Sequence, residues 1–188
     1  MTTLEGASGA APVAAPGGGP ALEAEVARFL HHEAELLDTR RFEAWLDLFD
    51  PRGRLWVPSR SPTAGTGEAD PMRDVSITYE EVNRLRLRVA RLLSGKELAQ
   101  DPPSATIRQI TNIVVEDRGA AGGTSDHDLV TVRSVCVLHE RWGSRPLLVL
   151  PARARHRLRW TGAGPRIVEK RLDLLEPDRH FENLAFLL

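Results

Sequence analysis

Early in the chain, apolar residues recur at helical spacing; from residue 104 onward they recur at strand spacing. Leu22, Val26, Phe29, Leu30 and Leu37 fall near one face of a helix predicted over 21–37. Glu23, Glu25, Arg28 and Glu33 sit mostly off that face. Asp38-Thr39 reads as the N-cap of a second helix, because a short acceptor side chain satisfies free amides in the first turn. That helix carries Phe42, Trp45, Leu46 and Phe49, and Asp50-Pro51-Arg52-Gly53 closes it as a turn. Leu55-Trp56-Val57 is then a short strand.

Residues 58–74 hold Pro58, Pro62, Gly65, Gly67 and Pro71, which predicts a long loop of the kind used for function or for an interface. Thr78-Tyr79-Glu80-Glu81 matches a capping box. The helix after it has Val82, Leu85, Val89 and Leu92 as its apolar stripe, Gly95 as its stop, and Arg84, Arg86, Arg88 and Arg91 on a basic exposed side. Four strands follow, at about 105–116, 129–142, 147–160 and 166–176, joined first through 119–128 and then through 143–145. In the third, Arg153, Arg155, Arg157 and Arg159 alternate with Ala152, Ala154, His156, Leu158 and Trp160, so one face is basic and the other is core. Helices followed by an antiparallel meander predict an α+β fold, with helices on one face of a curved sheet.

Composition narrows the classes. The chain has 188 residues, the size of one domain, with 41% hydrophobic and 27% charged residues. Its 25 Lys+Arg and 26 Asp+Glu nearly cancel, so no global field favours nucleic acid or an anionic membrane surface. Residues 1–20 are mostly Ala, Gly and Pro, and read as a flexible tail ahead of a single domain over 21–188. The tail lacks the basic start and apolar run of a secretory signal, and no stretch approaches the roughly 18 apolar residues of a membrane span. Cys136 is the sole cysteine, which excludes an internal disulfide and thiolate-based zinc or iron–sulfur sites within one chain. A reducing cytoplasm is the expected compartment.

Several segments together resemble one family. "FLHHEAELLDTRRFEAWLDLF" with "LWVP" after it, "VARLLSGKELAQDPPSATIRQITNIVVE", "LVTVRSVCVLHERW" and "IVEKRLDLLEPDRHFENLAFLL" are similar, in order, to the β subunits of aromatic-ring-hydroxylating dioxygenases. Arg91, Gly95, Asp101-Pro102-Pro103-Ser104, Arg108 and Thr111-Asn112 carry most of the central match, and the likeness covers about residues 22–188. Gly53-Arg54-Leu55 departs from the acidic and aromatic residues usual before the Trp. The resemblance implies a cone-shaped fold of the nuclear-transport-factor-2-like, or polyketide-cyclase-like, kind. It also implies a hexamer of three α and three β chains. The α chain there carries a Rieske iron–sulfur cluster and a mononuclear iron, and the β chain holds no cofactor and supports assembly.

Each candidate site also has a plain structural role to set beside its chemistry. His31 and Glu35 are one helical turn apart, but His32 points about 100° away from His31, so a solvated helix face explains them better than a metal site. Asp38 and His156 are the sharper pair, since in dehydratases and isomerases of the cone fold an Asp near the start of the second helix and a strand His meet inside the cavity for general acid–base work, which makes a stand-alone dehydratase or isomerase the alternative reading. The structural alternatives are an N-cap for Asp38 and a satisfied core or interface histidine for His156. His139 lies on the Arg133, Val135 and Val137 parity and needs no function. The arginine row lacks the interleaved aromatics of a nucleic-acid platform, so Arg153, Arg155, Arg157 and Arg159 are read as an interface, joined by the C-terminal Leu184 and Phe186. The expected assembly is a trimer bound to the larger α subunit.

Overall fold

The computed structural model describes residues 19–59, 70–71, 74–94, 103–118 and 129–178. Pro20–Asp38 forms α1, opened by a proline whose missing N–H has no helical partner to lose. Leu22, Val26, Phe29, Leu30 and Leu37 are buried, as their spacing requires. Glu33 is buried as well, between Phe29 and Leu37 at i+4 steps, so the stripe is wider than predicted and contains a charge.

Asp38 is not an N-cap. It ends α1; Thr39 donates its hydroxyl back to the Glu35 carbonyl at 2.6 Å, and Arg40 turns the chain at φ 58°. Helix α2 is only Phe42–Leu46, and Phe49 already belongs to strand β1, Phe49–Pro58. The turn expected at Asp50–Gly53 therefore lies inside a strand. Its chemistry survives as an irregularity: Arg52 N donates to Asp50 Oδ1 at 3.0 Å while the register shifts between Phe49 and Arg54.

The expected capping box is also a strand. Ser76–Glu81 is β2, paired antiparallel with β1, and it runs directly into α3, Val82–Leu93, whose N-cap Glu81 makes no side-chain cap bond. A ladder of inter-strand bonds to β1 satisfies more backbone than one cap could, and Glu80 turns its carboxylate to Arg88 at 3.6 Å instead. Gly95, most of the 58–74 loop, the 119–128 connection, Leu184, Phe186 and the tail up to residue 18 lie outside the described residues.

Four long strands complete the fold: β3 Ala105–Arg118, β4 Leu129–Arg141, β5 Leu148–Thr161 and β6 Gly164–Leu174. The sheet order is β2-β1-β6-β5-β4-β3, antiparallel throughout except for β1 beside β6. This is the predicted α+β architecture, a curved and mainly antiparallel sheet with helices on one side. Alternation sorts each strand into two faces. Val130, Val132, Leu138, Ala152, Ala154, Leu158, Leu172 and Leu174 face α1, α2 and α3 in one core. The odd-numbered residues of β4 and β5 form the outer face.

Gly53 sits where β1 crosses β6. A Cβ there would lie 2.5 Å from the Ile167 carbonyl oxygen and 2.9 Å from that of Asp50, both backbone atoms that cannot yield cheaply. Gly53→Ala is expected to cost about 1–3 kcal/mol by overpacking. Urea unfolding should show the lower midpoint, and an unchanged midpoint would mean that the β1–β6 approach relaxes freely.

Candidate functional site

Among the described residues, Glu33, His156 and Lys170 form a charged cluster in the core. Glu33 projects from α1 and its carboxylate accepts from Lys170 Nζ on β6 at 2.8 Å and from Trp45 Nε1 on α2 at 3.2 Å, both at Oε1. His156 Nε2 on β5 lies 3.1 Å from Oε2. All three charged or titratable groups are almost wholly buried. Burial alone would raise the proton affinity of Glu33, but the Lys170 ammonium and the His156 imidazole outweigh it and hold the carboxyl far below the usual carboxylate range. An ionised carboxylate only accepts, so His156 carries its proton on Nε2. Its Nδ1 has no hydrogen-bond partner among the described residues.

A general base works best when its pKa lies near the operating pH, and Glu33 is far below that. With every cation and donor around it engaged, the cluster acts as a clamp between α1, α2, β5 and β6.

Asp38 belongs elsewhere. Its Oδ2 accepts from the Arg108 backbone N at 2.7 Å, and its Oδ1 accepts from Thr106 Oγ1 at 2.9 Å and from the Arg108 guanidinium, all on β3. The structure therefore gives the two members of the sequence-predicted pair different partners: Asp38 closes onto β3 and His156 onto Glu33. Residue-by-residue reading missed Glu33 and Lys170. Both had a signal: Glu33 is four residues from Phe29 and from Leu37, and Lys170 shares the inward parity of Leu172 and Leu174. Two opposite charges in apolar positions of different elements mark a buried pair.

On the outer face the register aligns Arg133 of β4, Arg155 of β5 and Arg171 of β6 directly across the sheet. Arg153 and Arg157 stand opposite Asp173 and Glu169 across the β5–β6 pair. Glu169 binds Arg54 Nε at 2.7 Å and Asp173 binds Arg171 Nε at 3.0 Å. Arg159 pairs with Asp50, and Arg133 pairs with Glu116 at 2.8 Å. Arg171 also lies 4.4 Å over the Trp56 ring, a cation–π contact. Next to this basic row, Val135, Val137, Val149 and Pro151 are half-buried, and Ile107 on the edge strand β3 is 66% exposed.

The remaining candidates are simple. His31, His32 and Glu35 are exposed, with only a 3.9 Å approach of His32 to Glu35. Cys136 is buried in the core, where loss of water pushes its thiol up. Among the described residues no group of three or more His, Cys, Asp or Glu converges as a metal site, and no helix is long and apolar enough to cross a membrane.

Comparison with known proteins assigns the class. Residues 32–177, from within α1 to beyond β6, match the family described as ring hydroxylating beta subunit. The chain belongs to that family. The small oxygenase component of the p-cumate 2,3-dioxygenase system of Pseudomonas putida is 35% identical over 155 residues, covering 80% of this chain and 78% of its own length. The 2-halobenzoate 1,2-dioxygenase small subunit of Burkholderia cepacia is 36% identical over 95 residues, 50% of this chain and 57% of that one. For this and some other curated relatives, the chain spans about half of their length. In fold, the chain is similar to a solved naphthalene 1,2-dioxygenase with indole bound in its active site: TM-score 0.74, 24% identity, 92% of this chain and 89% of that one.

Removing the charge of Glu33 strands Lys170 in the core, so Glu33→Gln is expected to destabilise the fold by about 3–5 kcal/mol. Adding Lys170→Met to that variant should recover part of the loss, the mark of a coupled pair in a double-mutant cycle. Because the folded carboxyl is depressed, its stabilisation is complete above its unfolded value of 4.5 and is lost as pH falls below it. Thermal melts of the wild type should drop through that range more steeply than those of Glu33→Gln. Parallel pH profiles would show that the carboxylate contributes nothing.

Proposed function

We propose that this chain is the structural β subunit of a multicomponent ring-hydroxylating dioxygenase acting on an aromatic compound, and that it supports assembly of a larger catalytic α subunit. The observation that carries the reading is the family match over residues 32–177, which runs from the last two turns of α1 through every strand. The Rieske cluster and the mononuclear iron belong to the α subunit. A Rieske centre takes two Cys and two His, and this chain has one Cys, so its residues do not fit that group. The interior charges serve the fold rather than turnover, and function lies on the surface. Residues 21–188 act as the single domain behind a tail over 1–20, and the sole thiol suits a reducing cytoplasm.

The chain forms a trimer within a hexamer of three α and three β subunits. Its outer sheet face supplies a contact, through Arg153, Arg155, Arg157 and Arg159, with Leu184 and Phe186 adding apolar area. Arginines two residues apart along a strand stand about 6.6–6.8 Å from one another. Like charges at that spacing favour a surface rich in carboxylates, which the planar guanidinium binds through two bonds at once. Val135, Val137, Val149 and Pro151 beside the row provide the apolar centre that such an interface requires.

The purified chain should run at a multiple of 20.8 kDa in light scattering and contain no stoichiometric iron. Arg155→Glu with Arg157→Glu should shift the mass toward the monomer and leave the circular dichroism unchanged. A monodisperse monomer indifferent to these substitutions, or Rieske-type absorption from the chain alone, would overturn the proposal.

A further inference from the structure

Helix α3 has a second face that the fold does not use. Val82, Leu85, Val89 and Leu92 are buried and fix its inward stripe. At about 100° per residue, Leu87 falls roughly opposite the middle of that stripe. Leu87 is 68% exposed, and exposed Arg84 and Arg91 lie within about 60° of it, while exposed Arg86 and Leu93 stand about 100–120° farther round the helix. Arg88, nearer the core side, reaches Glu80, while no ion pair holds Arg84, Arg86 or Arg91 among the described residues. From Val82 to Ser94 the sequence contains no Asp or Glu. Arg84 and Arg91 stand two turns apart with Leu87 between them, and Arg84–Arg88 and Arg88–Arg91 are like-charge neighbours that repel. An isolated domain gains nothing from this arrangement, whereas a surface carrying carboxylates around an apolar socket would relieve the repulsion and cover Leu87.

Geometry separates this stripe from the arginine row of the sheet. α3 packs its buried side against the core face of the sheet, so its exposed stripe points away from the outer face that carries Arg153–Arg159. A cyclic trimer joins two different patches of each copy, and any further subunit needs a third surface. We infer that the exposed stripe of α3, Arg84, Leu87 and Arg91, docks an acidic, apolar-centred element of the larger subunit. This rests on the dioxygenase reading above. A lipid surface fits less well: a membrane-bound helix needs its broad apolar face free, and here that face is spent in the core.

The test uses the full chain and the larger subunit, co-expressed and then measured by surface plasmon resonance at low and high salt. The variants are Arg84→Glu with Arg91→Glu, Leu87→Ser, and the charge-keeping Arg84→Lys with Arg91→Lys. The double Glu variant should weaken binding of the larger subunit at least tenfold and flatten its salt dependence. Leu87→Ser should weaken binding without changing the salt slope, and the Lys variant should stay closest to wild type. Self-association of the chain alone and its circular dichroism should be unaffected. Binding of the double Glu variant within twofold of wild type would overturn the inference and leave the subunit reading intact. Failure of the wild type to bind any larger subunit would overturn both. Loss of self-association in the double Glu variant would assign the stripe to a second copy. Wild-type binding to phosphatidylserine vesicles that the variant loses would assign it to lipid. Either result also overturns the inference.

Discussion

A carboxylate carried into an apolar interior must find cations and donors there, because leaving it charged and alone costs more than a domain's whole stability. Glu33 meets that demand with one group from each of three other elements: Trp45 of α2, His156 of β5 and Lys170 of β6. Each bond restricts how its element can sit against α1. Apolar packing alone would tolerate α1 sliding or rotating over the sheet, since Leu and Val contacts are exchangeable. The charge cluster does not tolerate it. Asp38 adds a second restraint at the end of the same helix, on β3, so α1 is tied to both halves of the curved sheet.

This use of charge divides the molecule. Inside, the Glu33 carboxylate is met by Lys170 and His156 and is held too acidic to exchange protons near neutrality. Outside, the basic groups gather on two separate surfaces, the outer sheet face and the exposed side of α3, while the formal net charge is only −1. A near-neutral chain with such local excesses has no global field to draw in a polyanion.

The two failures of capping logic have a common cause. Asp38-Thr39 and Thr78–Glu81 both carry the local signature of a helix start, and neither is one. Asp38 finds an arginine, a hydroxyl and a backbone amide on a strand about seventy residues away, and Thr78–Glu81 finds an unpaired edge of β1. In each case a distant partner offered the same polar atoms more bonds than the local motif did. The turn at Asp50–Gly53 yielded in the same way, becoming an irregularity inside β1 once β6 lay alongside.

By itself the sequence determined the class of fold, the four long strands, the alternation that sends Arg153–Arg159 outward and His156 inward, and, through many weak matches in order, the family. These are properties of single elements, and a period of 3.6 or 2 is readable without knowing what the element packs against. Tertiary structure alone decided that Glu33 is core, that its partners are Lys170 and His156, and that β1 lies parallel to β6. It also decided which carboxylates answer which arginines. Glu33 and Lys170 are 137 positions apart, and the burial that makes their pairing necessary exists only when helix and sheet have closed on each other.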